Sequence, residues 1–214
     1  MEFKKEILNR NRVLTMSTNR TGDYLIVYSD YQTRLNTMMI IRSYSGDVND
    51  VIFIKQIPYK SIDKIFDICF EFNISNILID INAIGSVVAN NILEYIKLHK
   101  SRNHIDVIKV IDNIIDKSNE LSYIYQDIQD GKLRFLQSVN CAKINYRKAF
   151  LGYSEIINCH RETDKLIDEM SNINLKINAS GILKSNNNIA HSRFNCLMIY
   201  YSTYNSLNNM AQKK

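Results

Sequence analysis

The sequence predicts an α/β fold in which one mixed β-sheet is flanked by helices. Three observations predict it. Runs of β-prone residues separated by short turns fill the chain as far as Pro58. The apolar period then switches from strand-like to helical at Ser61. Strand, helix and strand follow one another between Ile77 and Asp112, an order that asks for a parallel crossover within one sheet. A chain of 214 residues suits a single domain, 1–214, in which residues 1–11 read as an N-terminal extension.

The elements are predicted in order as follows. "RVLTMST", Arg12 to Thr18, reads as a first strand and "NRTG" as a turn. "DYLIVYSDY", Asp23 to Tyr31, is a second strand, and "LNTMMIIRSYSG", Leu35 to Gly46, is a third. "VIFIKQIP", Val51 to Pro58, is a short strand or an ordered loop. "SIDKIFDICFEFN" places Ile62, Ile65, Phe66, Cys69 and Phe70 at helical spacing, with Ser61 positioned as a cap. "NILIDI" is apolar on both sides of its pleat, as a central parallel strand should be. "VVANNILEYIKLHK" is the next helix, and "IDVIKVID" the next strand. Further on, "KSNELSYIYQDIQDG" reads as a helix stopped by Gly131, and "KLRFLQSV" as a strand. The stretch after it is helical in pieces around Gly152. "NLKINASGILKS" resembles a hairpin, and "HSRFNCLMIYYSTYNSLNNMAQ" is an apolar, Tyr-rich final helix.

Composition narrows the function classes. There is no run of 18 apolar residues, so no membrane span is expected. The charged start "MEFKKEILNRNR" has no apolar signal core. Cys69, Cys141, Cys159 and Cys196 match no zinc spacing, and Cys69 and Cys196 read as core residues. The net charge of +5 permits nucleic-acid binding without requiring it.

Asp80 poses the main question, because it ends an otherwise apolar strand. A buried charge is costly unless it is paired or bound to a metal. A strand meander, then helix, central strand, helix, strand and a closing helix is the order of a ribonuclease H-like fold, in which a carboxylate ends the central strand. "LIDINAIGSVVANNILEYI" resembles the central segment of the nuclease domain of tailed-phage large terminase subunits, where a strand ends in an acid before a Gly-containing turn and a helix. "NRVLTMSTNRTGDYLIVYS" resembles that domain's opening, and "NIAHSRFNCLMIYYSTYN" its close, so the likeness runs from about Arg12 to Asn209.

The resemblance implies a metal-dependent endonuclease, a hydrolase of double-stranded DNA that uses Mg²⁺ or Mn²⁺. It implies a role in bacteriophage DNA packaging in the host cytoplasm. The partners would be a terminase ATPase motor, a small terminase or a portal protein. Since no G-x-x-x-x-G-K-[ST] loop is present, the chain would be an excised domain, a separately encoded piece or a stand-alone relative. Asp80 would be a catalytic metal ligand and Asp23 an auxiliary one. Arg12, Arg20 and Arg193 would contact DNA.

Two positions depart from the pattern. Ser17 and Ser192 stand where the resemblance calls for catalytic acids. Two divalent ions about 3.5–4 Å apart need several carboxylates around them, so cleavage is expected to be lost or impaired. The alternative is an inactive module that binds DNA or aids assembly. A third possibility recruits acids from Asp30, Asp112 or Glu155. Simpler roles compete for each residue: Asp80 as a turn cap, Ser192 as a helix cap, Arg193 as a surface arginine, and Tyr200, Tyr201 and Tyr204 as helix packing.

Overall fold

A computed structural model describes residues 3–12, 20–81, 84–99, 104–110, 118–136, 153–177, 183–185 and 192–211. The elements run α1 (Lys5–Arg10), β1 (Arg20–Asp30), β2 (Leu35–Tyr44), β3 (Val48–Pro58), α2 (Ile62–Phe72), β4 (Asn76–Asp80), α3 (Ile84–Leu98) and β5 (Asp106–Val110). They continue with α4 (Ser118–Gln129), β6 (Leu133–Phe135), α5 (Tyr153–Ser171), β7 (Leu175–Ile177), β8 (Leu183–Ser185) and α6 (Ser192–Ala211). Six strands form one mixed sheet in the order β5-β4-β1-β2-β3-β6, and β7 and β8 form a separate hairpin.

The meander is antiparallel from β1 to β3, as the short turns predict. Its strands are longer than the sequence suggested. β1 begins at Arg20 within the expected turn, with a register shift between Arg20 and Gly22, and β3 is a full strand from Val48. The turns depend on left-handed backbone at Arg34, Asp47 and Gly46.

The expected strand at Arg12–Thr18 falls, but for Arg12, outside the described residues. Arg12 makes an isolated parallel bridge to Phe135 of β6, at the sheet edge farthest from β4. The strand that flanks β4 is therefore β1, in parallel register from Tyr24 with Asn76 to Val27 with Ile79. On its other side β4 pairs with β5, which fits the expected strand near Ile105–Ile111.

Alternation along the strands divides the core in two. Leu25, Val27, Met38, Ile40, Ile77 and Ile79 face α2 and α3, where Ile65, Phe66, Cys69, Val88 and Ile92 cover them. Ile26, Met39, Val51 and Leu78 face the other layer, made by α4, α5 and α6 together with Phe3 and Leu8. Two residues of the N-terminal segment reach the core: Phe3 packs edge-on to Phe194, and Leu8 is fully buried.

Helix α2 buries Ile65, Phe66, Ile68 and Cys69 and leaves Phe70 exposed, so the apolar face is turned slightly from the predicted one. Ser61 makes no side-chain cap bond, while Asn73 ends the helix in left-handed conformation. Helix α4 stops before Gly131, whose φ of +69° suits glycine. Helix α6 has no exposed stripe between Phe194 and Tyr201, where every residue is buried. At about 1.5–3 kcal/mol for each large apolar side chain, it is a principal source of stability. Cys69, Cys159 and Cys196 are buried free thiols, while Cys141 lies outside the described residues. No helix among the described residues is long and apolar enough to cross a membrane.

Candidate functional site

Asp80 ends β4 and is 5% exposed. It lies two residues beyond Leu78 and so points to the sheet face that α6 covers. Ile81 continues the edge by donating its N–H to the Val110 carbonyl at 3.1 Å. Helix α3 begins immediately afterwards and approaches very closely. A Cβ on Gly85 would lie 1.8 Å from the Asp80 carbonyl oxygen, so only glycine fits there. The Gly in "IDINAIGS" is thereby explained: it lets the first turn of α3 lock the backbone of Asp80.

Tyr28 of β1 stands one rung beyond the last paired residues, Val27 and Ile79, which puts it level with Asp80 on the same face. The Asn195 side chain of α6 lies near it and favours its charged form. Burial raises the Tyr28 phenol above its ordinary value, and the nearby Asp30 and Asp80 charges raise it further. Asp30 lies two residues farther along β1. Its Oδ1 accepts from the turn amides of Gln32 at 2.8 Å and Thr33 at 3.4 Å, so its carboxylate is folded onto the β1–β2 turn.

Helix α6 forms the other wall. Asn195, on its first turn, is 5% exposed, and its Oδ1 has no hydrogen-bond partner. Ser192 Oγ accepts from Gln56 Nε2 at 3.1 Å, and the same nitrogen donates to Thr37 Oγ1 at 3.0 Å. Burial pushes the Cys196 thiol far above its ordinary value, so it stays protonated.

The structure brings only some of the expected site residues together. Asp80 and Ser192 lie near the same end of the sheet. Asp23 does not join them. It sits at the other end of β1, about five residues or 16 Å along the strand from Asp80. It faces the opposite side and is held by Arg42, whose Nε and Nη2 donate to it at 3.0 and 2.9 Å. That bond is the main reason the Arg42 pKa is raised. Ser17 lies outside the described residues, as do Asp112 and the side chain of Glu155. The strand end beside Asp80 carries Tyr28 and Asp30.

The arginines are likewise committed. Arg193 is 9% exposed and bonds Glu162 through Nε at 2.7 Å and Nη2 at 2.5 Å, and Glu169 through Nη1 at 2.5 Å. Burial opposes its charge, and the bonds to Glu169 and Glu162 outweigh that, so its pKa is raised. These bonds, with one from Nη2 to Gln56 Oε1 at 3.3 Å, fasten the start of α6 to α5 and β3. Arg12 is held by Asp164 at 2.6 Å with a side chain 9% exposed. Arg20 begins β1, and its side chain is not among those described.

Sequence reasoning did not single out Tyr28, Asn195 or Gln56. The first two become legible only once β1 is recognised as the strand beside β4, since parity then aligns Tyr28 with Asp80. Among the described residues no three His, Cys, Asp or Glu side chains cluster to hold a metal. Of the described carboxylates near this corner, Asp30 caps a turn.

No family sequence model matches this chain, and no curated protein sequence does. Solved structures do match. The human cytomegalovirus terminase nuclease domain, soaked with manganese, gives a TM-score of 0.55 at 13% identity, covering 93% of this chain and 91% of that one. The nuclease domain of the large terminase subunit gp2 of bacterial virus Sf6, with manganese, gives 0.54 at 14% identity and covers 92% and 98%. The large terminase of bacteriophage HK97 gives 0.51 at 11% identity; this chain is covered over 86% of its length but spans only 38% of that protein. At these identities the likeness is one of architecture: the chain has the ribonuclease H-like fold of large-terminase nuclease domains.

Proposed function

We propose that this chain is a terminase-type nuclease domain serving viral DNA packaging, in which metal-dependent cleavage of double-stranded DNA is lost or impaired. The observation that carries this reading is the corner at the end of β4. Asp80 is locked there by the approach of Gly85, as a ligand to the reacting phosphate's metal would need to be, while Tyr28 and Asn195 beside it are neutral. The related domains from cytomegalovirus and Sf6 carry manganese, and that from phage G20c carries magnesium. Cleavage by paired ions needs several carboxylates to offset four positive charges, and among the described residues this corner offers Asp80 and a turn-bound Asp30. Mg²⁺ or Mn²⁺ binding would be weak and limited to one ion. The partners would be duplex DNA and a packaging ATPase motor, small terminase or portal, in the host cytoplasm.

A second reading, an inactive module that binds DNA or aids assembly, draws support from the neutral oxygens that α6 presents to Asp80. Plasmid nicking separates the two. The unmodified protein is expected to nick weakly or not at all with Mg²⁺, with at most a trace in Mn²⁺. Ser17→Asp with Ser192→Asp should raise activity more together than singly if both face Asp80, since such carboxylates act as a unit. Robust Mg²⁺-dependent nicking that disappears in Asp80→Ala would show that other acids complete the centre and would overturn the claim of impairment.

A further inference from the structure

We infer that Asn195 supplies, beside Asp80, the second protein oxygen for the one divalent ion that this corner holds. Helix geometry turns it that way. Ser192 and Cys196, one turn apart on α6, both face the sheet: Ser192 Oγ accepts from Gln56 Nε2 at 3.1 Å, and Cys196 Sγ donates to the Thr37 carbonyl at 3.5 Å. Arg193, about 100° round the helix from Ser192, turns to Glu162 and Glu169 of α5, the helix that packs on β3. Asn195 is three residues from Ser192, which is about 60° round in the opposite sense, toward β1 and β4. Thr37 pairs with Gln56 on one side and with Tyr28 on the other, and Tyr28 is level with Asp80. The first turn of α6 therefore lies over one row of four strands, with Asn195 on the Asp80 side of it. The second observation is chemical. Asn195 is 5% exposed, and its Oδ1 has no hydrogen-bond partner. An acceptor buried without a donor is costly, and a cation is a partner that offsets the loss. Carboxylate, carbonyl and water oxygens suit Mg²⁺ and Mn²⁺. The amide brings an oxygen and no charge, which keeps the ion single and weakly held.

The inference rests on the preceding reading for the ion itself, and it is tested on the full chain by Mn²⁺ binding and stability instead of cleavage. Binding is followed by loss of the free-ion paramagnetic signal, and Tm is measured in EDTA and in Mn²⁺. Asn195→Leu keeps the bulk and removes the oxygen. It should raise Tm in EDTA by roughly 2–4 °C, because no orphaned acceptor is left, and weaken Mn²⁺ binding by about tenfold or more. Asn195→Asp should do the reverse: a lower Tm in EDTA, and Mn²⁺ bound about tenfold or more tightly, since a second carboxylate joins Asp80. Adding Asp80→Asn should remove the binding in each case. Equal Mn²⁺ affinity in the parent and Asn195→Leu overturns the inference while leaving an ion on Asp80, and so does a Tm in EDTA that Asn195→Leu leaves unchanged or lowers. Where the parent binds too weakly to measure, Asn195→Asp decides: one Mn²⁺ that Asp80→Asn removes supports the assignment, and none overturns it. An Asn195→Asp chain that folds only with Mn²⁺ supports it too, and one that folds under neither condition overturns it. Parent binding that survives Asp80→Asn puts the ion elsewhere and removes both the preceding reading of this corner and the inference. DNA binding and nicking are read separately, so the packaging assignment has its own test.

Discussion

Replacing Gly85 with alanine tests whether the close approach of α3 to β4 sets the geometry of Asp80. Two effects of opposite sign compete. Gly85 lies in the first turn of a helix, where alanine is intrinsically preferred by about 1 kcal/mol. Without the tertiary contact, the substitution would stabilise. The added Cβ would, however, lie 1.8 Å from the Asp80 oxygen and 2.9 Å from its carbon, where real Cβ contacts essentially never fall under 3.0 Å. Both neighbours are backbone atoms, so helix and strand end must part by about 1.2 Å, the difference between 3.0 and 1.8 Å. Overpacking of this kind costs about 3 kcal/mol, the upper end for buried insertions. Subtracting the propensity gain leaves a net loss of about 2 kcal/mol, which lowers Tm by roughly 4–8 °C in a chain of this length. The assay is thermal and urea unfolding of the parent, Gly85→Ala and Val87→Ala, the last being half-exposed in the same helix and expected to change little. An unchanged or raised Tm in Gly85→Ala would refute the reasoning, because it would mean that α3 does not press on Asp80.

Arg193→Ala should lower stability by about 3–5 kcal/mol in urea unfolding, since it removes the Arg193 cation from Glu169, at 13% exposure, and leaves Glu162, at 15%, to the exposed Lys165; a change below about 1 kcal/mol would mean that the network is dispensable. Asp127 has its pKa raised by burial, despite the Tyr201 hydroxyl bond that favours its charged form. Its folded value therefore exceeds its unfolded one, so its contribution is fully present at acid pH and is lost as pH rises through the folded value. Asp127→Asn keeps an acceptor for Tyr201, and should match or exceed the parent's Tm at neutral pH while flattening Tm against pH over the acid range. Any binding to duplex DNA should be sequence-independent and fall steeply with salt; Arg12→Gln should leave the salt slope unchanged, because Arg12 is spent on Asp164. A slope reduced by about 1 in that variant would put Arg12 on the phosphates after all.

The elements from Leu35 to Val110 were legible because their signals are local. β-branched and apolar runs ended at turn residues, and the period changed cleanly at α2. Asp80 was legible for the same reason, as an acid closing an apolar run. The partner of β4 was not legible, since "RVLTMST" and "TGDYLIVYSD" have equal strand propensity, and only long-range pairing chooses between them. Tyr28 stayed out of view, because only the pairing of β1 with β4 sets it level with Asp80. The pairing of Arg193 was hidden for a different reason. Nothing near Arg193 in sequence reveals Glu162 and Glu169, which lie on a helix 31 and 24 residues away. Charge that reads as surface in one dimension is here consumed in joining two helices.

The burial of α6 from Phe194 to Tyr201 has a kinetic consequence. A stretch of helix with no exposed face has no stable surface-bound form to occupy while the rest of the domain assembles, and the partners of α6 include β1, far away in sequence. Contacts of such high sequence separation are slow to form. Until Phe194, Leu197 and Tyr200 dock, the sheet face they cover, with Ile26 and Leu78, stands open as an apolar groove. Insertion of α6 is then the closing step of folding, and a chain shortened before Ser192 would meet its own copies through that groove at a rate that rises with concentration.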